Sequence, residues 1–270
     1  EIEYWNATEE EASVWVKMPI LESSYETRFW FYYGNNGAGD GQNSTGVWDN
    51  NYMTIHHLDE DSGTRYDSTS YGRNGTPSGF DGDEQGTGLI SKSLHLDGSD
   101  DVIELSTYQG VTGTESRTVS LWYKSDNQGG ESHRLVSWGT DNAGEKYDVR
   151  TDSSNSDSFR VENSEGQKYG STDVMDETWH YLVVTLVEDG DPDVQDHDLY
   201  VDSVLETSTG GSSQSLDTDQ GDYVWIGASN FHGDYTDGYI DEVRISNVSR
   251  SEEWIKASYY SQRGGIVNVS

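Results

Sequence analysis

Residues 118–123 read TVSLWY, a short run in which apolar and smaller side chains alternate. Val119, Leu121 and Tyr123 fall on one face of an extended chain and Ser120 and Trp122 on the other, because successive side chains of a strand point to opposite faces. The alternation predicts a β-strand. Similar short segments, separated by Gly, Asn, Asp and Ser, lie at residues 12–19, 27–33, 93–96, 102–105, 134–138, 148–151, 158–162, 179–187, 198–201, 223–227 and 239–245. Many short strands with turn signals between them predict an all-β sandwich or barrel.

One stretch has a helical pattern. Residues 249–260 begin with Ser-Arg-Ser-Glu-Glu, typical of a capping box, and then place Trp254, Ile255 and Ala257 near helical spacing. We expect a single short helix that packs on the sandwich through Trp254. By contrast, residues 34–51 are rich in Gly and Asn and predict a linker or long loop.

The composition limits the possible partners. The chain has 50 acidic and 16 basic residues, a formal net charge of −34. This charge repels phosphate backbones and anionic bilayers, so it argues against nucleic-acid binding and membrane-surface binding. The sequence contains no run of 18 apolar residues that could insert into a membrane. It also contains no cysteine, so a secreted form would depend on its core or on bound metal instead of disulfides.

The acidity has two interpretations. Low hydrophobicity with high net charge is typical of disorder, but 9 Trp, 18 Tyr and repeated strand-like runs argue for a folded chain. The alternative is adaptation to molar salt, where a Debye length of roughly 3 Å screens the self-repulsion. Because the acidic residues are spread along the chain, we favour the second interpretation. The first residue is Glu and no signal peptide is visible, so we expect the chain to be part of a longer protein.

Six landmarks resemble, in family order, the laminin-G-like, concanavalin A-like domains of secreted and surface proteins. They are residues 57–76 (HLDE followed by DSTSYGRNGT), 93–102 (SLHLDGSDDV), 118–123, 178–185 (TWHYLVVT), 199–202 (LYVD) and 238–247 (GYIDEVRISN). The resemblance implies a jelly-roll sandwich of two antiparallel sheets. Residues 14–19 (VWVKMP) and 31–35 (FYYGN) are similar to the end of a small β-domain that often precedes such domains in archaeal and bacterial surface proteins.

These observations divide the chain into two parts. Residues 1–45 form the C-terminal part of a small N-terminal β-domain plus a linker, and residues 46–270 form the laminin-G-like sandwich. The N-terminal part has about three predicted strands, too few to close a core without help. We therefore expect a small β appendage that packs on the sandwich, on a partner chain or on residues upstream.

The resemblance also implies a calcium site of structural character at the rim of the sandwich. It carries over to Asp67 and Asn74 in the Asp-Ser loop, to Asp241 in the last strand and, less directly, to Asp97. Calcium prefers six to eight oxygen ligands, and a carboxylate in an apolar strand, such as Asp241, needs a metal or hydrogen bonds. The alternative is that these side chains cap turns and accept hydrogen bonds from backbone amides.

A second candidate site lies on the loop 230–237. Lectin-like sites stack an aromatic ring on the apolar face of a sugar and read its hydroxyls with polar side chains. This loop carries both kinds of residue between two predicted strands: Asn230, Phe231, His232, Asp234, Tyr235 and Asp237. The alternative is a polar connecting loop with one or two anchoring aromatic residues. Trp122, Trp179 and Trp225 lie in predicted strands and are expected in the core.

Other patterns are weaker. His56 and His57, with Asp59 and Glu60 nearby, suggest a transition-metal site, but adjacent strand residues point to opposite faces, so both histidines cannot easily bind one ion. Residues 189–198 lack the order of acidic residues of an EF-hand loop. The sequence shows no Gly-x-Ser-x-Gly elbow, cysteine nucleophile, phosphate-binding loop or His-Glu-x-x-His motif, so we do not expect an enzyme.

Three functional hypotheses follow. The first is an extracellular recognition or adhesion module of a halophile surface or virion protein that binds glycans or glycoproteins on a cell surface. The second is a structural component of a surface layer, filament or virion exterior, in which homo-oligomer contacts dominate. The third is an accessory binding domain of a secreted hydrolase.

Overall fold

The computed structural model describes residues 1–20, 27–35, 37–82, 84–129, 131–231 and 233–264. Its strands are β1 (Ile2–Asn6), β2 (Glu11–Val14), β3 (Tyr52–His56), β4 (Thr76–Ser78), β5 (Gln85–Thr87), β6 (Lys92–Asp97), β7 (Val102–Leu105), β8 (Arg117–Ser125), β9 (Arg134–Gly139), β10 (Lys146–Asp152), β11 (Ser158–Glu162), β12 (Gln167–Tyr169), β13 (His180–Leu186), β14 (Asp198–Val201), β15 (Val204–Leu205), β16 (Gly211–Ser212), β17 (Val224–Ile226) and β18 (Asp237–Ser246). Its helices are α1 (Ser44–Val47), a 3-10 turn (Val194–Asp196) and α2 (Glu252–Gln262).

Two large antiparallel sheets form the sandwich. The first sheet has the order β15-β14-β13-β8-β18-β6-β5, with β3 also paired to β18. The second has the order β16-β12-β11-β10-β9-β17-β7-β4. Sequence neighbours are often not neighbours in a sheet, as expected for a jelly roll and not for a simple meander. The predicted all-β, two-sheet architecture is confirmed.

The core lies between the two sheets. Val119, Leu121 and Tyr123 of β8 all face it and are fully buried, as the alternation in residues 118–123 predicted. From the second sheet, Trp138 and Tyr147 stack with ring centroids 4.4 Å apart. Burying such side chains contributes roughly 1.5–3 kcal/mol each, which gives a chain without disulfides its main source of stability.

Strand β18 is the longest strand and joins several parts of the molecule. One edge pairs with β8 along nearly its whole length. The other edge pairs first with β6 and then with β3. The register against β8 shifts between Asp241 and Arg244, which makes a β-bulge, and Glu242 within it has a φ of 56°. A bulge turns side chains away from the regular alternation, so Asp241 and Glu242 are both buried.

The predicted helix exists and covers the outer face of the first sheet. Ser251 caps α2, since its hydroxyl accepts a hydrogen bond from the Trp254 backbone N–H. Beneath the helix, the Trp122 indole donates to Gln262 Oε1 over 2.8 Å and stacks on Tyr259. Trp122 is therefore buried as predicted, but under the helix and not between the sheets. Trp179 and Trp225, predicted in the core, are only half-buried.

The N-terminal part forms less regular structure than predicted. Strands β1 and β2 make a hairpin, which confirms a small β appendage. The predicted strand 27–33 is wrong, because none of its described residues pairs with another strand. Residues of high strand propensity remain unpaired without a neighbour to accept their backbone hydrogen bonds. Their aromatic rings are consequently exposed, Trp30 by 82% and Tyr32 by 88%.

Among the helices of the described residues, none is long and apolar enough to cross a membrane.

Replacing Trp122 by Ala should destabilise the protein by about 3–5 kcal/mol, since it opens a cavity under α2 and removes the indole donor from Gln262 Oε1. Trp5→Ala is the matched control, because that ring is 50% exposed, and it should change stability by less than about 0.5 kcal/mol. Urea unfolding in molar salt measures both. Equal effects would contradict the proposed packing of the helix.

Candidate functional site at the rim of the sandwich

A cleft of about 530 Å³ opens at the rim of the sandwich, where the loop before β18 meets the ends of β6 and β8. It is lined by Asp97, Gly98, Asn127, Gln128, Gly129, Glu131, His133, Gly233, Asp234, Tyr235 and Asp237. Loops held by a rigid scaffold are a common place for binding residues.

One wall of the cleft is fixed by strand pairing. Asp97 at the end of β6 lies opposite Asp237 at the start of β18. The Gly98 N–H donates to the carbonyl of Thr236 over 2.9 Å, and Asn127 Nδ2 donates to Asp237 Oδ2 over 2.9 Å. Gly98 has a φ of 75°, and a Cβ there would lie 3.0 Å from Asp237 Cβ. Glycine therefore allows the two strand ends to approach closely.

The opposite wall is tied to the second sheet through the loop itself. The Asp234 carboxylate accepts hydrogen bonds from Arg134 and, over 3.0 Å, from Arg150 Nη2. The Thr236 hydroxyl donates to the Arg134 carbonyl over 2.7 Å. The His133 ring contacts the Tyr235 carbonyl over 2.9 Å through Nδ1. These contacts hold residues 234–236 in place, so this wall of the cleft is formed before any ligand arrives.

The charge of the cleft selects among ligands. Four of its lining side chains are carboxylates, and its one basic group is His133. Such a surface repels anions and favours cations or neutral molecules rich in hydroxyls. Tyr235 is half-buried and, apart from the His133 imidazole, supplies the only aromatic ring among the described lining residues.

The structure brings part of the predicted binding set together. Asp234, Tyr235 and Asp237 line the cleft, although Asp234 serves mainly to anchor the loop. Asn230 and Phe231 lie on the same loop but are not among the lining residues, and His232 falls outside the described residues. Asn127 and His133 were missed by the sequence analysis, because they come from a distant part of the chain.

The predicted calcium ligands separate into different environments. Asp67 is surrounded by donors, since its carboxylate accepts from the backbone N–H groups of Ile55, Thr69 and Arg73. Asn74 Oδ1 accepts the Asp67 N–H over 2.9 Å. This is the turn-capping arrangement considered as the alternative. The side-chain oxygens of Asp67 and Asn74 face backbone N–H groups, whose partial positive charges repel a cation. These two residues therefore do not fit a calcium cradle.

Asp241 is also held by amides. Its Oδ2 accepts the N–H groups of Leu89 and Ile90 over 3.0 and 3.2 Å. Burial raises its pKa well above the usual range, and the nearby Glu242 charge raises it further. Of the four predicted metal ligands, only Asp97 belongs to a described group of three or more His, Asp or Glu ligand atoms within 4.8 Å, together with Asp100 and Asp101.

A second, unpredicted arrangement covers the outer face of the second sheet. Lys146 Nζ lies 3.2 Å from Asp148 and 2.6 Å from Glu162, and Arg160 Nη2 lies 2.7 Å from Glu162. All of these side chains are largely buried, because they pack against one another. Alternating charges along β10 are the sequence signal that would have revealed it.

Two sequence families match the chain. The model of the Laminin_G_3 family, the concanavalin A-like lectin/glucanases superfamily, matches residues 97–256, more than half of the chain. The chain therefore belongs to this family, as the motif resemblance suggested. A domain family of unknown function, DUF2341, matches residues 1–74. No curated protein sequence matches the chain.

Three solved structures of the same fold are similar to this chain. Domain 4 of the extracellular GH43 arabinanase AbnA of Geobacillus stearothermophilus, solved with arabinotriose, is similar with a TM-score of 0.56 and 19% identity, covering 76% of this chain and 97% of that one. The binding domain of Paraclostridial Mosquitocidal Protein 1 gives 0.51 and 12%, covering 78% and 52%. The botulinum neurotoxin serotype G binding domain gives 0.52 and 10%, covering 78% and 51%. The chain thus spans about half the length of the two toxin domains.

The buried ion pairs of Lys146, Asp148, Arg160 and Glu162 on the second sheet predict that the stability of the protein depends on pH. Burial alone would raise the pKa of Glu162, but Lys146 and Arg160 outweigh burial and lower it. A lowered pKa contributes stability above the unfolded value of about 4.3, and this contribution disappears as pH falls through the folded value. Glu162→Gln should therefore be less stable than the wild type at neutral pH, with a difference that shrinks below about pH 4.3.

Urea unfolding in molar salt across a pH series measures this difference. The exposed Glu165→Gln is the control and should follow the wild type throughout. A Glu162→Gln difference that stayed constant with pH would contradict the role of its charge.

Proposed function

We propose that this chain is an extracellular recognition module that binds a neutral, hydroxyl-rich glycan in the rim cleft. The observation that carries the proposal is the cleft itself, in which the Tyr235 ring lies beside carboxylates whose positions the strand ends fix. Membership of the lectin/glucanase superfamily supports it. The arabinotriose complex of the similar arabinanase domain also supports a saccharide as the class of ligand.

The chemistry of the cleft suits a sugar. The face of Tyr235 can stack on the apolar C–H face of a pyranose or furanose ring. Asp97 and Asp237 can then accept hydrogen bonds from vicinal hydroxyl groups, and charge-assisted bonds of this kind are stronger than neutral ones. The same carboxylates would repel uronic acids, sialic acids and sulfated sugars.

The surroundings of the paired carboxylates on the second sheet favour a binding function over a catalytic one. Asp148 and Glu162 are cross-strand neighbours on one face of the second sheet, as a glycosidase pair would be. A general acid needs a raised pKa, whereas Lys146 and Arg160 outweigh burial and lower the pKa of Glu162. These cations stabilise the ionised form and make Glu162 a poor proton donor.

Calcium remains part of the proposal in a narrower form. Asp97, Asp100 and Asp101 offer three carboxylates at the turn between β6 and β7, and calcium prefers such oxygen ligands. Because Asp97 also lines the cleft, an ion there would have a structural role, fixing that wall. Sugar binding itself would use Tyr235, Asp237 and the carboxylate oxygen of Asp97 that the ion leaves free.

A second candidate function is an accessory domain of a secreted hydrolase. It is favoured by the similarity to Domain 4 of the extracellular arabinanase, almost all of which is covered by this chain. In this setting the same cleft would hold a polysaccharide near a separate catalytic domain. The two functions differ in the source of the glycan. A recognition module binds a glycan on a cell surface, whereas an accessory domain binds the polysaccharide that the hydrolase cleaves.

The cleft is tested by binding neutral oligosaccharides, first on a glycan array in molar salt and then by calorimetry on the best ligand. Tyr235→Ala should weaken binding by about tenfold or more, equivalent to about 1.4 kcal/mol. Tyr66→Ala is the matched control, because that ring is 62% exposed and lies outside the cleft. Equal affinities for all three proteins would place the ligand elsewhere, and no ligand at all would sink the glycan proposal.

The acidic surface leads us to propose a high-salt environment outside the cell. A net charge of −34 on 270 residues destabilises the folded state by self-repulsion unless salt screens it. The melting temperature should therefore rise continuously from dilute buffer to molar KCl. A melting temperature that is independent of salt would contradict the proposed halophilic adaptation.

A further inference from the structure

A buried polar cluster lies where the N-terminal hairpin meets the sandwich, outside the rim cleft. Glu3 belongs to β1, His57 follows β3, and Glu242 lies in the bulge of β18. Ligand atoms of these three side chains all lie within 4.8 Å of one another. Three separate segments therefore meet at one point.

The histidine is at the centre of this cluster. His57 Nδ1 lies 2.5 Å from Glu242 Oε1 and 3.4 Å from Glu3 Oε2. The other ring nitrogen, Nε2, lies 3.5 Å from a carboxylate oxygen of Glu1. The indole rings of Trp15 and Trp48 flank the imidazole, with centroids 5.8 and 5.9 Å away. Aromatic walls exclude water and hold the ring in place.

One oxygen of this cluster lacks a partner. The Glu3 side chain is only 1% exposed. Within the described residues, its Oε1 atom is buried and makes no hydrogen bond. The Oε2 atom of the same carboxylate accepts from the Trp15 indole over 2.6 Å and faces His57. A buried carboxylate oxygen without a partner is costly, so the position favours a ligand that has positive charge.

The charges of the cluster do not balance. Three carboxylates, those of Glu1, Glu3 and Glu242, surround two cations, His57 and Arg244. This excess of carboxylates favours a cation as the ligand of the cluster.

The backbone at Glu242 is also unusual. Its φ of 56° lies in the left-handed region, which is uncommon for residues other than glycine. Such conformations are energetically costly and tend to occur at ligand-binding and other functional sites. Here the bulge turns the Glu242 carboxylate toward His57.

We propose that Glu3, His57 and Glu242 form a binding site for one divalent transition-metal cation, with Zn²⁺ as its representative. The ion would take Nδ1 of the imidazole and one oxygen from each carboxylate. Water would supply the fourth ligand that tetrahedral zinc requires. An imidazole ligand favours zinc-like ions over calcium or magnesium. Any proton held by a ligand atom passes to solvent on binding.

The site would act as a clamp between the two parts of the chain. Glu3 lies on the hairpin, while His57 and Glu242 lie on the sandwich, so an ion shared by them links the two directly. The energy of metal binding adds to the stability of the arrangement that forms the site.

The test uses the full chain, stripped of metal with a chelator and titrated with Co²⁺ as a spectroscopic probe, then with Zn²⁺. A tetrahedral site gives visible Co²⁺ absorption that saturates at one ion per chain and is lost when Zn²⁺ displaces it. Glu3→Gln keeps the size of the side chain and should weaken Zn²⁺ binding by more than about tenfold. Glu9→Gln on the same hairpin is exposed and should bind as the wild type does.

Two outcomes would overturn the proposal. The first is an absence of tetrahedral Co²⁺ absorption in a folded wild-type chain. The second is absorption that survives in Glu3→Gln but disappears in Asp100→Asn, because the ion would then occupy the acidic turn between β6 and β7. Circular dichroism of each variant separates loss of the site from loss of the fold.

Discussion

The pairing of β18 with three other strands is the constraint on which the rest of the structure depends. This strand crosses the middle of the first sheet and carries buried residues from one rim of the sandwich to the other. Its start fixes Asp237 against Asp97, and its end supports the residues that lead to α2. A shift of register by one residue would turn its buried side chains outward, so the strand fixes both the core and the rim.

The bulge in this strand explains why two polar regions form in one apolar sheet. On one side of it, β18 pairs with β6, and the strand ends there create the rim cleft. On the other side, it pairs with β3, and Glu242 turns toward His57 and the N-terminal hairpin. A regular strand would have placed Asp241 and Glu242 on opposite faces. The bulge instead allows both carboxylates to be buried among suitable donors.

Strands could be predicted where their own residues carry the pattern, and not where only a neighbouring strand makes them strands. Strands Val102–Leu105, Ser158–Glu162 and Asp198–Val201 match their predicted bounds, because alternation and flanking turn residues mark them. The short polar strands Thr76–Ser78 and Gln85–Thr87 were missed, since only their partners make them strands. Residues 27–33 show the reverse case, in which high propensity without a partner gave no strand.

The same distinction holds for the sites. Tyr235 and Asp237 could be predicted, because a loop of aromatic and polar residues between two strands is visible in the sequence. Glu3, His57 and Glu242 could not be combined, because His57 and Glu242 are 185 positions apart. The sequence analysis expected that His56 and His57 would not bind one ion together. In the structure, His57 belongs to the cluster with Glu3 and Glu242, and His56 does not.

Locating the bound glycan by NMR tests the rim cleft most directly. Amide shifts of a ¹⁵N-labelled chain would be followed during titration with a neutral oligosaccharide in molar salt. The largest shifts should fall on Gly98, Asn127, Gly233 and Asp237 around the cleft. Shifts centred instead on Ser137 and Trp225, on the outer face of the second sheet, would contradict the rim cleft as the binding site.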